Sequence, residues 1–172
     1  PIACGALSLA GFLPLLIADG RIIPSNLYCD YASYQLPVRE FAREEWLSGR
    51  FPLWIPYLGC GMPLHAGQQA ALCYPLLTPL VLLVGANYGI KLSLFLHLGL
   101  TYAGQYVLCR MAACSRAASS LAAVVTTQSA FLVAHLMEGH VTMVLATALV
   151  PCFFAALIAL TRRHLKPAAR AY

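Results

Sequence analysis

The chain has 172 residues, 60% of them hydrophobic and 10% charged, with a net charge of +5 and a mean hydropathy of +0.74. A soluble domain of this length carries about 25% charged residues, so the composition excludes an ordinary water-soluble enzyme and indicates a polytopic membrane protein. The basic residues are divided between a turn and a tail, which excludes a nucleic-acid surface.

The first expected span covers residues 1–18, an apolar run without the basic start and small-residue cleavage site of a signal peptide. A polar stretch, "DGRIIPSNLYCDYASYQ", follows and contains Asp30. A carboxylate beside apolar walls near a membrane surface is a candidate general base; the other reading is a loop aspartate capping the turn into the next helix. That helix is expected from Pro37 to about Ser48, with Pro37 suited to its first turn and Gly49 to the position past its end. Val38, Phe41, Ala42 and Trp46 fall loosely on one face, as in a helix lying along a membrane surface or packed on its own loop.

Residues 51–90 contain no Asp, Glu, Lys or Arg, yet they hold Pro52, Pro56, Pro63 and Pro75 with Gly59, Gly61 and Gly67 between. Proline removes a backbone donor and displaces its predecessor from helical geometry, so no regular helix runs through 51–75. Unpaired backbone groups cannot face lipid. The segment is therefore expected to be an ordered lid packed on protein at the water boundary, where Trp54 and Tyr57 are at home. After it, "YPLLTPLVLLVG" supplies only half a span.

Three further spans are expected at 89–110, 117–137 and 141–161, each close to the roughly 20 apolar residues that cross a bilayer. Lys and Arg accumulate on the cytoplasmic side, so Arg110, Arg116 and the Arg162–Arg170 tail assign both termini to the cytoplasm. Residues 19–88 and the turn near Glu138 then lie outside, with all six acidic residues. The expected fold class is all-α: a single four-span membrane domain with a long first outer loop carrying a short interfacial helix and a Pro/Gly/aromatic lid.

Seven cysteines show no C-x-x-C spacing; Cys29, Cys60 and Cys73 would face an oxidising compartment, where one disulfide among them is open. In "HLMEGH", His135, Glu138 and His140 end the third span, and spacings of three and two do not bring all three to one helical face. They are either interfacial polar residues or, if the chain turns at Gly139, a site. His97 lies within the second span and is expected to form an interhelical hydrogen bond. His65 is a ligand contact or a turn cap, and Gln69 with Gln68 needs polar partners if buried.

The stretch from Asp30 to Pro75 resembles the first extracytoplasmic loop of the YfhO-like bacterial membrane proteins, within the C-type multi-spanning glycosyltransferase superfamily. The resemblance rests on Asp30, on Gln35, Pro37 and Arg39, on Gly49, Pro52, Leu53, Trp54, Pro56 and Tyr57, and on Gly61, Pro63, Gln69, Tyr74 and Pro75. Ile55 stands where the family usually has Asn. The resemblance implies a transferase of the bacterial cytoplasmic membrane that uses a polyprenyl-phosphate-linked sugar, with Asp30 as base toward the acceptor hydroxyl. Arg39, Trp54, Tyr57, His65 and Gln69 would contact the donor; His135, Glu138 and His140 would orient acceptor or phosphate. No metal ligand and no cofactor are assigned, although a divalent cation occurs in part of the superfamily. Its members have more spans, so the chain is expected to be an N-terminal portion or a shortened relative. The other functional expectation is a non-catalytic accessory subunit bound to lipids and other membrane proteins.

Overall fold

A computed structural model describes residues 1–14 and 29–168. The remainder of the expected first span, the polar stretch to residue 28 and the end of the basic tail lie outside the described residues. Helix α1 (Ile2–Ala10) covers nine residues of that first span. A π-helical turn (Tyr31–Gln35) leads into α2 (Leu36–Leu47), which carries Pro37 in its first turn and is followed by Gly49 at φ 74°.

The proline- and glycine-rich segment forms a small antiparallel pair, β1 (Trp54–Ile55) and β2 (Met62–Pro63), with Trp54 opposite Pro63. It has its own core: Ile55, Leu64, Ala70 and Leu72 close on Val38 and Ala42 of α2. Full burial of each large aliphatic residue here contributes about 1.5–3 kcal/mol. Ile55 is 3% exposed, so an apolar side chain at this position fills the segment's interior. Seven residues of α3 (Thr78–Val84) and Gly85 at φ 86° then lead into the long helix α4 (Ala86–Met111).

Among the described residues, three helical stretches are long and apolar enough to cross a membrane: Ala86–Met111, Arg116–Met137 and Val141–Arg162. The first starts three residues before the expected 89–110 and includes Lys91. At 1.5 Å per residue its 26 residues measure about 39 Å, against about 30 Å of hydrocarbon. Lys91 lies five residues, about 7.5 Å, from Ala86, within that excess of about 9 Å, so the amine stays near one end. Lys91 is buried, its Nζ 5.5 Å from the centre of the Tyr88 ring.

The second stretch is two helices, α5 (Arg116–Thr127) and α6 (Ala130–Met137), interrupted at Gln128 and Ser129. Ser129 caps α6 through Leu132 N–H, and Gln128 Nε2 donates to Ser8 O of α1 at 2.8 Å. Backbone that leaves the helix at membrane depth needs such partners. The third stretch bends between α7 (Val141–Ala148) and α8 (Val150–Ala168), where Pro151 supplies no N–H.

α4 is central, packed against α3, α5, α7 and α8. At Gly104 a Cβ would meet the Cys152 backbone nitrogen at 2.8 Å, so glycine permits the close approach of α4 and α8. Arg162 donates to Met111 O at 2.7 Å, which joins the basic ends of α4 and α8. Tyr31 Oη donates to Asn87 Oδ1 at 2.5 Å near the other end of α4, about 36 Å away along the axis. The bundle thus has a basic end and, opposite it, an end that gathers the titratable groups.

All seven cysteines are free thiols, so the disulfide left open among Cys29, Cys60 and Cys73 is not formed.

Candidate functional site

The turn between α6 and α7 begins the site. Gly139 has φ 78°, a left-handed conformation that a side chain resists, and a Cβ there would collide with the Tyr31 backbone. This close approach allows Asp30 N–H to donate to Glu138 O at 3.1 Å. Two segments more than one hundred residues apart are thereby joined through main chain. Their side chains follow: Asp30 Oδ2 lies 3.4 Å from His140 Nε2, an ion-pair distance, and His140 Nδ1 lies 2.8 Å from His135 Nδ1.

The carboxylate favours a proton on His140 Nε2. That leaves His140 Nδ1 bare to accept from His135 Nδ1–H, so the three residues form a directed row. Asp30 starts the π-helical turn, but its side chain makes no capping hydrogen bond. Its side chain is 52% exposed.

Asp30, His135 and His140 line an open cavity of about 740 Å³, together with Gln35, Gln69 and Tyr74. Its far wall is apolar: Met143, Leu145, Ala146 and Leu149 run along α7 and its junction with α8. A polar rim thus continues into an apolar trough within a helix pair long enough to cross a membrane.

Tyr74 gives the rim a defined hydrogen-bonding sense. His97 of α4 is fully buried; its Nδ1 lies 2.6 Å from Ser93 O and its Nε2 lies 2.5 Å from Tyr74 Oη. A carbonyl only accepts, so Nδ1 carries the proton and neutral His97 presents a bare Nε2. Tyr74 must then donate to it, and its remaining lone pairs are available as acceptors. Burial raises the Tyr74 pKa above the usual phenol value, so the group stays neutral. The bond expected of His97 therefore exists, but it reaches the proline-rich segment rather than another helix.

Behind the rim, Arg39 is buried and holds two lining residues in place. Its Nη1 donates to Gln35 O at 3.1 Å and to Gln35 Oε1, and its Nη2 donates to Gln69 O at 3.0 Å. Burial lowers its pKa to about 10, partly offset by Tyr34 and Tyr31, so it remains a cation at neutral pH.

Of the residues singled out from the sequence, Asp30, Gln69, His135 and His140 meet at the cavity, and Arg39 braces it from behind. Glu138 contributes its carbonyl oxygen while its side chain is exposed. His65 packs edge-on to Phe51 beside a separate shallow pocket, which it shares with Tyr74. Trp54 and Tyr57 are largely exposed and lie off the cavity; Tyr57 meets Phe41 edge-on.

Sequence reasoning did not anticipate the Tyr74–His97 pair or Glu40, whose carboxylate accepts from Ala86 N–H at 3.2 Å and caps α4. Gly85 immediately before a long apolar run was the available sign that this helix needed a distant cap. Among the described residues no group of three or more His, Cys, Asp or Glu is placed to hold a metal ion. Compared with protein-family models, curated proteins and solved structures, the chain matches none.

Proposed function

We propose that this chain is a glycosyltransferase-like membrane protein that moves a sugar from a polyprenyl-phosphate carrier to an acceptor hydroxyl at the extracytoplasmic face of a bacterial cytoplasmic membrane. The observation that carries this reading is the amphipathic cavity: a carboxylate–imidazole row and a phenol acceptor at one end, an apolar trough along α7 at the other. A ligand with a hydroxylated head and a hydrocarbon tail matches both ends. The YfhO-like resemblance of the Asp30–Pro75 stretch supports the same substrate class.

In this reading Asp30 accepts the proton of the acceptor hydroxyl as its oxygen forms a bond to the anomeric carbon. The bond from that carbon to the phosphate oxygen breaks, and the polyprenyl phosphate leaves with the electron pair. His140 and His135 orient the carboxylate and spread its charge; Tyr74 and Gln69 accept from sugar hydroxyls. Four spans, with both termini in the cytoplasm and residues 19–88 outside, complete the topology.

The test is transfer of labelled sugar from a polyprenyl-phosphate donor in proteoliposomes, comparing the protein with its Asp30→Asn variant. Loss of a general base lowers the rate about 10²–10⁴-fold; undiminished transfer removes the assignment. The accessory-subunit reading is favoured by a different observation. Only 28% of each of the last two candidate spans is buried within the chain, leaving a wide apolar surface for lipid or a partner. It predicts no transfer from any such donor.

A further inference from the structure

α2 carries a second feature that the transferase reading does not use. Among the described residues, four side-chain atoms are buried without a hydrogen-bond partner, and three of them are N–H donors of this helix: Arg39 Nε, Arg43 Nε and Trp46 Nε1. Positions 39, 43 and 46 share one helical face. All three residues line the same cavity of about 20 Å³, bordered on its other sides by α3 and by residues 70–72. A single water needs about 10–15 Å³, so there is room for one small guest.

The lining includes no Asp or Glu. Glu40 lies 3.7 Å from Arg43 Nη1 and offsets that charge, whereas the partners of Arg39 are neutral oxygens. The local balance is a buried cation with no facing anion, an arrangement that is strongly unfavourable unless compensated. Water also accepts hydrogen bonds from N–H groups, but it brings no charge to offset Arg39.

We propose that this cavity is an anion site, taking a chloride-sized ion or one oxygen of a lipid phosphate on the Arg39, Arg43 and Trp46 N–H groups. Occupancy neutralises Arg39, ties α2 to α3 and steadies the guanidinium that holds Gln35 and Gln69. The site is independent of any transfer reaction.

Bromide, which quenches indole fluorescence on contact, is the probe. The chain has two tryptophans, so Trp54→Phe leaves Trp46 as the sole reporter. In lipid-free detergent, bromide replacing gluconate at constant ionic strength should quench Trp46 saturably, and chloride should compete. In the same background Arg43→Gln should weaken the half-saturation at least about tenfold, the loss of one charge-assisted hydrogen bond. Arg50→Gln, the same charge change at an exposed arginine, should not. Trp46→Phe keeps the ring, removes one donor and is read by thermal unfolding; its midpoint should rise less in chloride than that of the parent.

Vesicles of phosphatidylglycerol and of phosphate-free galactolipid separate the two sources. Saturable quenching in galactolipid that phosphatidylglycerol suppresses in the parent assigns the site to a lipid phosphate oxygen; equal quenching in both assigns it to free halide. Linear quenching in every medium, unchanged by Arg43→Gln, with an unfolding midpoint indifferent to anion and lipid, overturns the proposal.

Discussion

Arg39 takes part in two cavities of opposite character. Through Gln35 and Gln69 its terminal nitrogens support an open space of about 740 Å³ rimmed by Asp30, His140 and the acceptor face of Tyr74. Its side chain also borders a space of about 20 Å³ with Arg43 and Trp46, and the Nε, Nε and Nε1 donors of these three residues are buried without a partner. The large cavity draws on three segments far apart in sequence and suits a ligand that donates hydrogen bonds. The small one lies between α2, α3 and residues 70–72, and the unpartnered donors of α2 suit a guest that only accepts. A single buried cation can therefore organise a substrate-sized site on one flank while itself needing a counter-charge on the other.

The comparison breaks most completely at Gly139. Gly139→Ala places a methyl group against the Tyr31 backbone and a side chain at φ 78°. The cost is about 1–3 kcal/mol for the backbone alone. The Asp30–Glu138 main-chain bond should be lost with it, abolishing sugar transfer and lowering the thermal midpoint. Bromide quenching at Trp46 should persist, because the small cavity does not include this turn.

A smaller effect is expected from His140→Gln, which removes the imidazole between Asp30 and His135. Transfer should fall about tenfold or more while the fold holds, since the lost partner is a charge-assisted one. Tyr74→Phe should follow. It deletes one hydrogen bond to His97, worth about 1 kcal/mol, and one acceptor on the rim, so the apparent affinity for donor should weaken several-fold in transfer kinetics.

Glu45→Gln should do least. Glu45 is partly exposed, and its hydrogen bonds to Arg50 hold its pKa below the ordinary carboxyl value. Any stabilisation from this pair is present above the unfolded-state pKa and lost as pH falls through the lowered one. Solvent screening makes it slight. Neither transfer nor bromide quenching should change, and only the acid limb of a stability–pH curve should shift.

Much of the scaffold was legible from local chemistry. Pro37 and Gly49 bracketed a helix found at Leu36–Leu47, and uncharged runs marked three stretches apolar enough to span. Asp30, Gln69, His135 and His140 stood out as polar groups in an apolar chain, and they meet at one cavity. What sequence spacing did not convey depends on partners distant in the chain. His135 and His140 share no helical face, and they meet because Gly139 reverses the chain; Asp30 joins them through a carbonyl that any residue would supply. Lys91 is a charge near the edge of the expected 89–110 span, and it is buried one and a half turns inside α4. Gln128 and Ser129 looked like two polar residues within a continuous helix, but the chain unwinds there and bonds to α1.

The most direct measurement of the central claim is chemical rescue of Asp30→Ala in proteoliposomes supplied with the polyprenyl-phosphate-linked donor. With a general base at this rim, transfer collapses in the variant and formate restores it in a saturable manner, whereas the Gly139→Ala protein gains nothing from formate. Transfer that survives the loss of the carboxylate, or that formate leaves unchanged after it collapses, would contradict the account.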